Sequence, residues 1–179
     1  MIIITTPMCS KILEFAGISN FKINKNPDEE EGDLAILLSE SKVKMNSLKI
    51  KLNTFNQIKQ SIIDVSKYSS KGIITEDEIN NVFSNYPIAM KWLNSNNEIK
   101  EKNSKISIKV YSEFLKDIVK DMNFNLNSVE YDYVVFPDYM GNLVEEHDEN
   151  KLISIPTHNN ISKDPIKRGE IRYSILENI

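Results

Sequence analysis

Glycine is scarce in this chain, with five in 179 residues. Loops that cradle a cofactor's phosphates against bare backbone need glycines at fixed spacing, and neither the Gly-x-Gly-x-x-Gly nor the Walker A pattern occurs. His-Glu-x-x-His and Gly-x-Ser-x-Gly are missing too, which excludes those zinc-helix and serine-elbow arrangements. Cysteine occurs once, at Cys9, so no internal disulfide can form, and a reducing, cytoplasmic setting is expected. No apolar run is long enough to span a bilayer. The apolar opening is too short for a signal peptide's core and has no basic flank, so Met1 is read as the start of a soluble chain. Positive charge is also limited: the formal net charge is −4, which argues against nucleic-acid binding through a broad basic face. Arginine is confined to Arg168 and Arg172. Any bidentate arginine recognition of phosphate or carboxylate must therefore come from the C-terminal segment.

What is present is an alternation of apolar patterns. With 40% hydrophobic residues, the chain can bury a core without staples, and a single domain, 1–179, is expected. Ile2-Ile3-Ile4-Thr5-Thr6 reads as a buried strand, followed by a short helix through Ile12, Leu13, Phe15 and Ala16. Residues 20–25 alternate as an edge strand, and 26–33 form an acidic loop without the spacing of a calcium site. Leu34 to Leu38 is continuous enough for a central strand, and Leu48 to Leu52 alternates as another. Phe55, Ile58, Ile62, Val65 and Tyr68 share one helical face, with Asn53 or Thr54 as N-cap and Gly72 as the stop. Thr75 and Glu78 have capping-box spacing, and Pro87 can open a helical turn through Ile88 to Leu93. These helices and the polar stretch 94–105 are read as an insertion, 73–105, ending in an exposed connector. Trp92, Met90 and Tyr86 are read as core rather than as a binding patch. The pattern then predicts a helix over about 108–122, with a strand possible at Ile106 and Ile108, and a strand over 131–136. A hairpin is predicted where Leu143-Val144 and residues 151–155 flank an acidic segment, and a final helix after Pro165. No internal repeat is visible. The fold class is α/β, with a mixed, mainly parallel sheet of five or six strands and helices on both faces.

The candidate site lies where the first strand turns into the first helix. Ligands of open parallel sheets collect at the carboxyl ends of strands. Thr5, Thr6, Ser10 and Lys11, with Ser39 and Ser41 after the next strand and Asn53 and Thr54 after the following one, are the candidate ligand-binding residues. Cys9 reads either as a small buried residue or as a thiol whose pKa is lowered by the helix start and Lys11. With His158 as base, that thiol would be a nucleophile. His147 sits among carboxylates and reads as part of a solvated turn. The basic cluster Lys167-Arg168-Gly169-Glu170-Ile171-Arg172 reads as a solvated face, with phosphate or carboxylate binding as the alternative.

Two short resemblances attach to this stretch. Pro7-Met8-Cys9-Ser10-Lys11 resembles the strand-to-helix start of arsenate reductases with a thioredoxin-like fold, which would imply a reactive cysteine and an oxyanion. The match covers five residues, and the chain lacks both a Cys-x-x-Cys and a resolving cysteine. Lys11-Ile12-Leu13-Glu14 is similar to the start of the inosine-triphosphate pyrophosphatases, but Met8 stands where that pattern has asparagine. Neither names a family. The expected function is a non-catalytic or accessory protein that binds a small anionic ligand or a protein partner at the strand ends around Cys9. No metal site or cofactor is identified. The alternatives are a thiol-dependent transferase or reductase using Cys9, and a structural subunit whose contact is the 73–93 segment.

Overall fold

The computed structural model describes residues 1–94, 97–146, 148–157 and 161–179. The α/β class holds, and the strands are divided between two sheets of four. The first contains β1 (Ile3–Thr5), β2 (Lys22–Ile23), β3 (Leu34–Leu38) and β4 (Ser47–Ile50), in the order β2-β1-β3-β4. The second contains β5 (Ser107–Val110), β6 (Asn125–Leu126), β7 (Tyr133–Pro137) and β8 (Leu152–Ile155), in the order β6-β5-β7-β8. Every registered pair is parallel. Two compact units carry these sheets, residues 1–90 with 162–169 and residues 91–161 with 170–179.

In the first unit, β3 is buried on both faces, with Ala35, Ile36 and Leu37 wholly inaccessible, as its unbroken apolar run demands. Helix α1 (Ser10–Phe15) follows β1, and α2 (Phe55–Ser66) packs on it and on β4. Phe55, Ile58, Ile62 and Val65 form the buried face of α2. Its start is held by a capping box between Thr54 and Gln57, which selects Thr54 over Asn53. Thr75 and Glu78 make the same device at α3 (Glu76–Phe83). Helix α2 ends at Ser66 with Lys67 as its C-cap, before the stop expected at Gly72, whose φ of +88° makes a left-handed turn in the loop ahead of α3.

The second unit departs from the pattern reading in four places. The polar stretch read as an exposed connector contains helix α5 (Asn97–Asn103). Its scarcity of apolar residues hides a polar anchor: Asn103 is buried and donates to the Met122 carbonyl at 2.8 Å. The helix expected from 108 starts later, as α6 (Glu113–Asp121), because Ile108 is held in β5 between β6 and β7. Short β6 follows a left-handed turn at Asn123, φ 66°, with no alternating pattern to announce it. The hairpin expected around residues 143–155 does not form. Residues 138–143 and 149–151 are 3-10 turns, and β8 returns parallel to β7, pairing Val135 with Ile153.

Helices α4 (Pro87–Leu93) and α7 (Pro165–Leu176) complete the described elements. Trp92 is 2% exposed and meets Tyr173 edge-to-face with ring centroids 5.5 Å apart, so it is core as read. No helix among the described residues is long and apolar enough to cross a membrane.

Candidate functional site

The two sheets share one strand order, and each changes direction between its first and third strands. From β1 the chain moves to β2 on one side, then to β3 and β4 on the other. Such a reversal opens a crevice outside the carboxyl ends of the two central strands. In the first unit those ends are the turn Thr6–Cys9 after β1 and Ser39–Ser41 after β3.

Cys9 occupies that position and is completely buried. Its thiol lies near the backbone of Leu38, the last residue of β3, and near the Thr6 side chain. Burial pushes the thiol up from 9.0 to about 11, and this outweighs Thr6, Arg168 and the Leu38 backbone, which favour the thiolate. The expectation of an activated thiol is therefore corrected: at neutral pH Cys9 is a protonated, enclosed group. Lys11 is not its stabiliser. That ammonium pairs with Glu14 at 2.5 Å and lies 5.4 Å from the Phe15 ring centre. The cation facing Cys9 is Arg168.

Arg168 also corrects the reading of the C-terminal basic cluster as a solvated face. Arg168 is 2% exposed and Arg172 is 7% exposed. Nη1 of Arg168 donates to the Ser162 carbonyl at 3.3 Å and reaches Sδ of Met8 at 4.0 Å, which brings the guanidinium to the β1–α1 turn. Gly169 lets this stretch approach α2: a Cβ there would stand 2.7 Å from the Phe55 ring. In the sequence Arg168 stands out as one of two arginines and as part of a charge run, and the sign of its burial is the glycine beside it.

The remaining candidates divide into those at the crevice and those with structural duties. Thr5 is buried and its hydroxyl donates to the Ile36 carbonyl at 2.8 Å, joining β1 to β3. Thr6 offers its carbonyl to the amides of Cys9 and Ser10, and the Ser10 hydroxyl donates to the Pro7 carbonyl at 3.2 Å. Ser39 is exposed and its hydroxyl donates to Glu40. The Ser41 carbonyl accepts from Lys49, and Asn53 and Thr54 are engaged with Gln57 at the start of α2. The end of β1 thus brings Thr6 and Cys9 together beside Arg168, while Ser10 and Ser39 follow the ends of β1 and β3 in the chain. His147 and His158 lie outside the described residues, and with them the proposed Cys9–His158 pair.

In the second unit the corresponding ends carry Ser112 after β5 and Asp138 after β7. Ser112 precedes α6 without capping it, and its buried hydroxyl oxygen has no hydrogen-bond partner among the described residues. The Asp138 carboxylate accepts from the Thr157 hydroxyl and, at 3.2 Å, from the Thr157 amide. Two surface depressions lie at the opposite, amino ends of the strands. One of about 540 Å³ includes Met1, Ile3 and Tyr68, and one of about 520 Å³ includes Ser107, Tyr131 and Lys151. Among the described residues, no three His, Cys, Asp or Glu side chains group as a metal site.

No family model matches the chain, and no curated protein matches it in sequence. Solved structures share its fold. Zn(II)-bound AdcAII of Streptococcus pneumoniae, in a histidine-to-alanine variant, aligns with a TM-score of 0.58 at 12% identity, over 99% of this chain and 97% of that one. A Zn(II)-bound histidine-to-leucine variant of the same protein gives 0.57 at 11% identity, over 99% and 98%. The metal-dependent lipoprotein YcdH from Bacillus subtilis gives 0.54 at 8% identity, over 99% and 98%. At these identities the likeness establishes the α/β fold that the two parallel sheets display.

Proposed function

We propose that this chain is a non-catalytic binding protein that holds a small ligand at the carboxyl ends of β1 and β3. The observation that carries this reading is the complete burial of Cys9 at the point where the sheet reverses direction, which disfavours its thiolate. A strand end of this kind is a place for a ligand, and burial leaves its thiol without activation. Iodoacetamide is expected to leave native Cys9 unmodified at neutral pH while modifying the unfolded chain; rapid native alkylation would favour the thiol-enzyme alternative. A single cysteine is in keeping with a reducing, cytoplasmic setting.

The test is a thermal-shift screen of small acids, phosphates and divalent metals on the whole chain. A ligand at 100 times its Kd stabilises the protein by about 2.7 kcal/mol. Replacing Thr6, Ser10 and Ser39 together by alanine should weaken the response, and an unaltered response would count heavily against this location. The Zn(II) bound in two of the similar structures makes it the first metal to include. The described residues supply no cluster of donors for it, and Arg168 would repel a cation from this crevice.

A further inference from the structure

A buried guanidinium is costly unless an opposite charge compensates it, because arginine cannot shed its proton at physiological pH. Among the described residues Arg168 has no ion-pair partner. Its acceptors are one carbonyl, of Ser162, and the thioether of Met8, which is a weak acceptor. The nearby carboxylate that acts on it is Asp164, and that group is already engaged. It accepts from the Tyr86 hydroxyl at 2.5 Å and from the amides of Ile166 and Lys167 at 2.9 and 3.1 Å, where it starts α7. The other group able to supply negative charge beside it is Cys9, which stays protonated at neutral pH.

We propose that Arg168 anchors an oxyanion subsite at the carboxyl ends of β1 and β3, where a carboxylate or phosphate group takes the place of the Met8 thioether against the guanidinium. This rests on the binding-protein reading above and names the chemistry of its ligand. The planar fork of arginine fits two oxygens of such a group, and the exchange replaces a weak sulfur acceptor by a charged one. Met8 is half-buried and unbranched, so its side chain can swing aside without moving a strand. The neutral thiol of Cys9 adds no charge that would oppose an anion, and the Glu40 carboxylate is turned to the Ser39 hydroxyl.

The experiment is calorimetric titration of the intact chain with inorganic phosphate, with acetate and, separately, with Zn(II), using wild type, Arg168→Met and Arg168→Lys. The wild type should bind phosphate or acetate, and which of the two it prefers distinguishes a phosphoryl from a carboxylate ligand. Arg168→Met should weaken that binding about 10- to 100-fold, and Arg168→Lys, which keeps the charge and loses the fork, by less. Without ligand, Arg168→Met should melt no lower than wild type, since it removes a buried charge that no ion pair among the described residues holds. If Arg168→Met fails to fold, Arg168→Lys alone carries the comparison. Equal anion binding by wild type and both variants, or no anion binding by wild type, overturns the subsite. Zn(II) binding with no anion binding overturns it while leaving the binding-protein reading standing. That reading falls with it only if the wider screen also finds no ligand.

Discussion

The carboxyl ends of the two sheets present the same geometry with opposite chemistry. Both sheets have the strand order second-first-third-fourth, so both reverse direction between the first and third strands. In the first unit the reversal gathers a neutral thiol and a guanidinium without an ion-pair partner among the described residues. In the second it gathers a carboxylate already holding the Thr157 hydroxyl and amide. Topology decides where a parallel sheet can take a ligand, and the side chains at the strand ends decide whether charge there is left open. By that criterion the first unit holds a buried cation with no ion-pair partner among the described residues, while Asp138 has protein donors of its own.

The comparison can be broken most severely at the central strands. Ile36→Ala in β3 and Ile108→Ala in β5 each remove a wholly buried side chain, at an expected cost of about 2–5 kcal/mol by urea unfolding. A cost well under this at either position would mean that the two sheets do not have equivalent cores. The next effect separates the units by pH. The raised pKa of Cys9 means that the folded state retains a proton the unfolded chain loses. Its contribution is full below pH 9.0 and is lost as pH rises through about 11. Stability should fall by about 2–3 kcal/mol over that window, and a Cys9→Ala variant should lack this component.

Smaller effects sharpen the contrast at the polar ends. Asp138→Ala removes the acceptor of both Thr157 hydrogen bonds and should cost about 1.5–3 kcal/mol by urea unfolding near neutral pH. A neutral outcome would show that this carboxylate is as open as the first unit's guanidinium. Last come the helix starts. Thr54→Ala should cost about 1 kcal/mol because Thr54 caps α2, whereas Ser112→Ala should be neutral or slightly stabilising, because that hydroxyl is buried without a partner among the described residues. Equal costs at the two positions would erase the distinction.

Much of the first unit was legible from residue order. The run Leu34 to Leu38, the helical face from Phe55 to Val65 and the capping spacing at Thr75 each act within a few residues, so local pattern suffices. The second unit was less legible because its supports are distant in sequence. Asn103 makes a polar stretch into an ordered helix through Met122, and β8 pairs in parallel with β7 across an intervening pair of 3-10 turns. The site divides the same way. Cys9 and Thr6 could be placed at a strand end from the sequence, but the reversal of the thiol's expected pKa shift comes from burial. Arg168, 159 positions further along, carried no sign of being enclosed except the adjacent glycine.

The sequence by itself determined the α/β class, the strand-to-helix turn at Cys9, the absence of the common nucleotide and hydrolase motifs, and the restriction of arginine to the C-terminal segment. These are matters of residue type and short spacing, where hydrophobic period and turn chemistry act directly. Only the tertiary structure decided that the strands of the described residues form two sheets, that the thiol is buried, and that Arg168 rather than Lys11 faces it. Those outcomes depend on which distant groups exclude water from one another. Burial and charge compensation depend on position in space, and a linear pattern does not carry them.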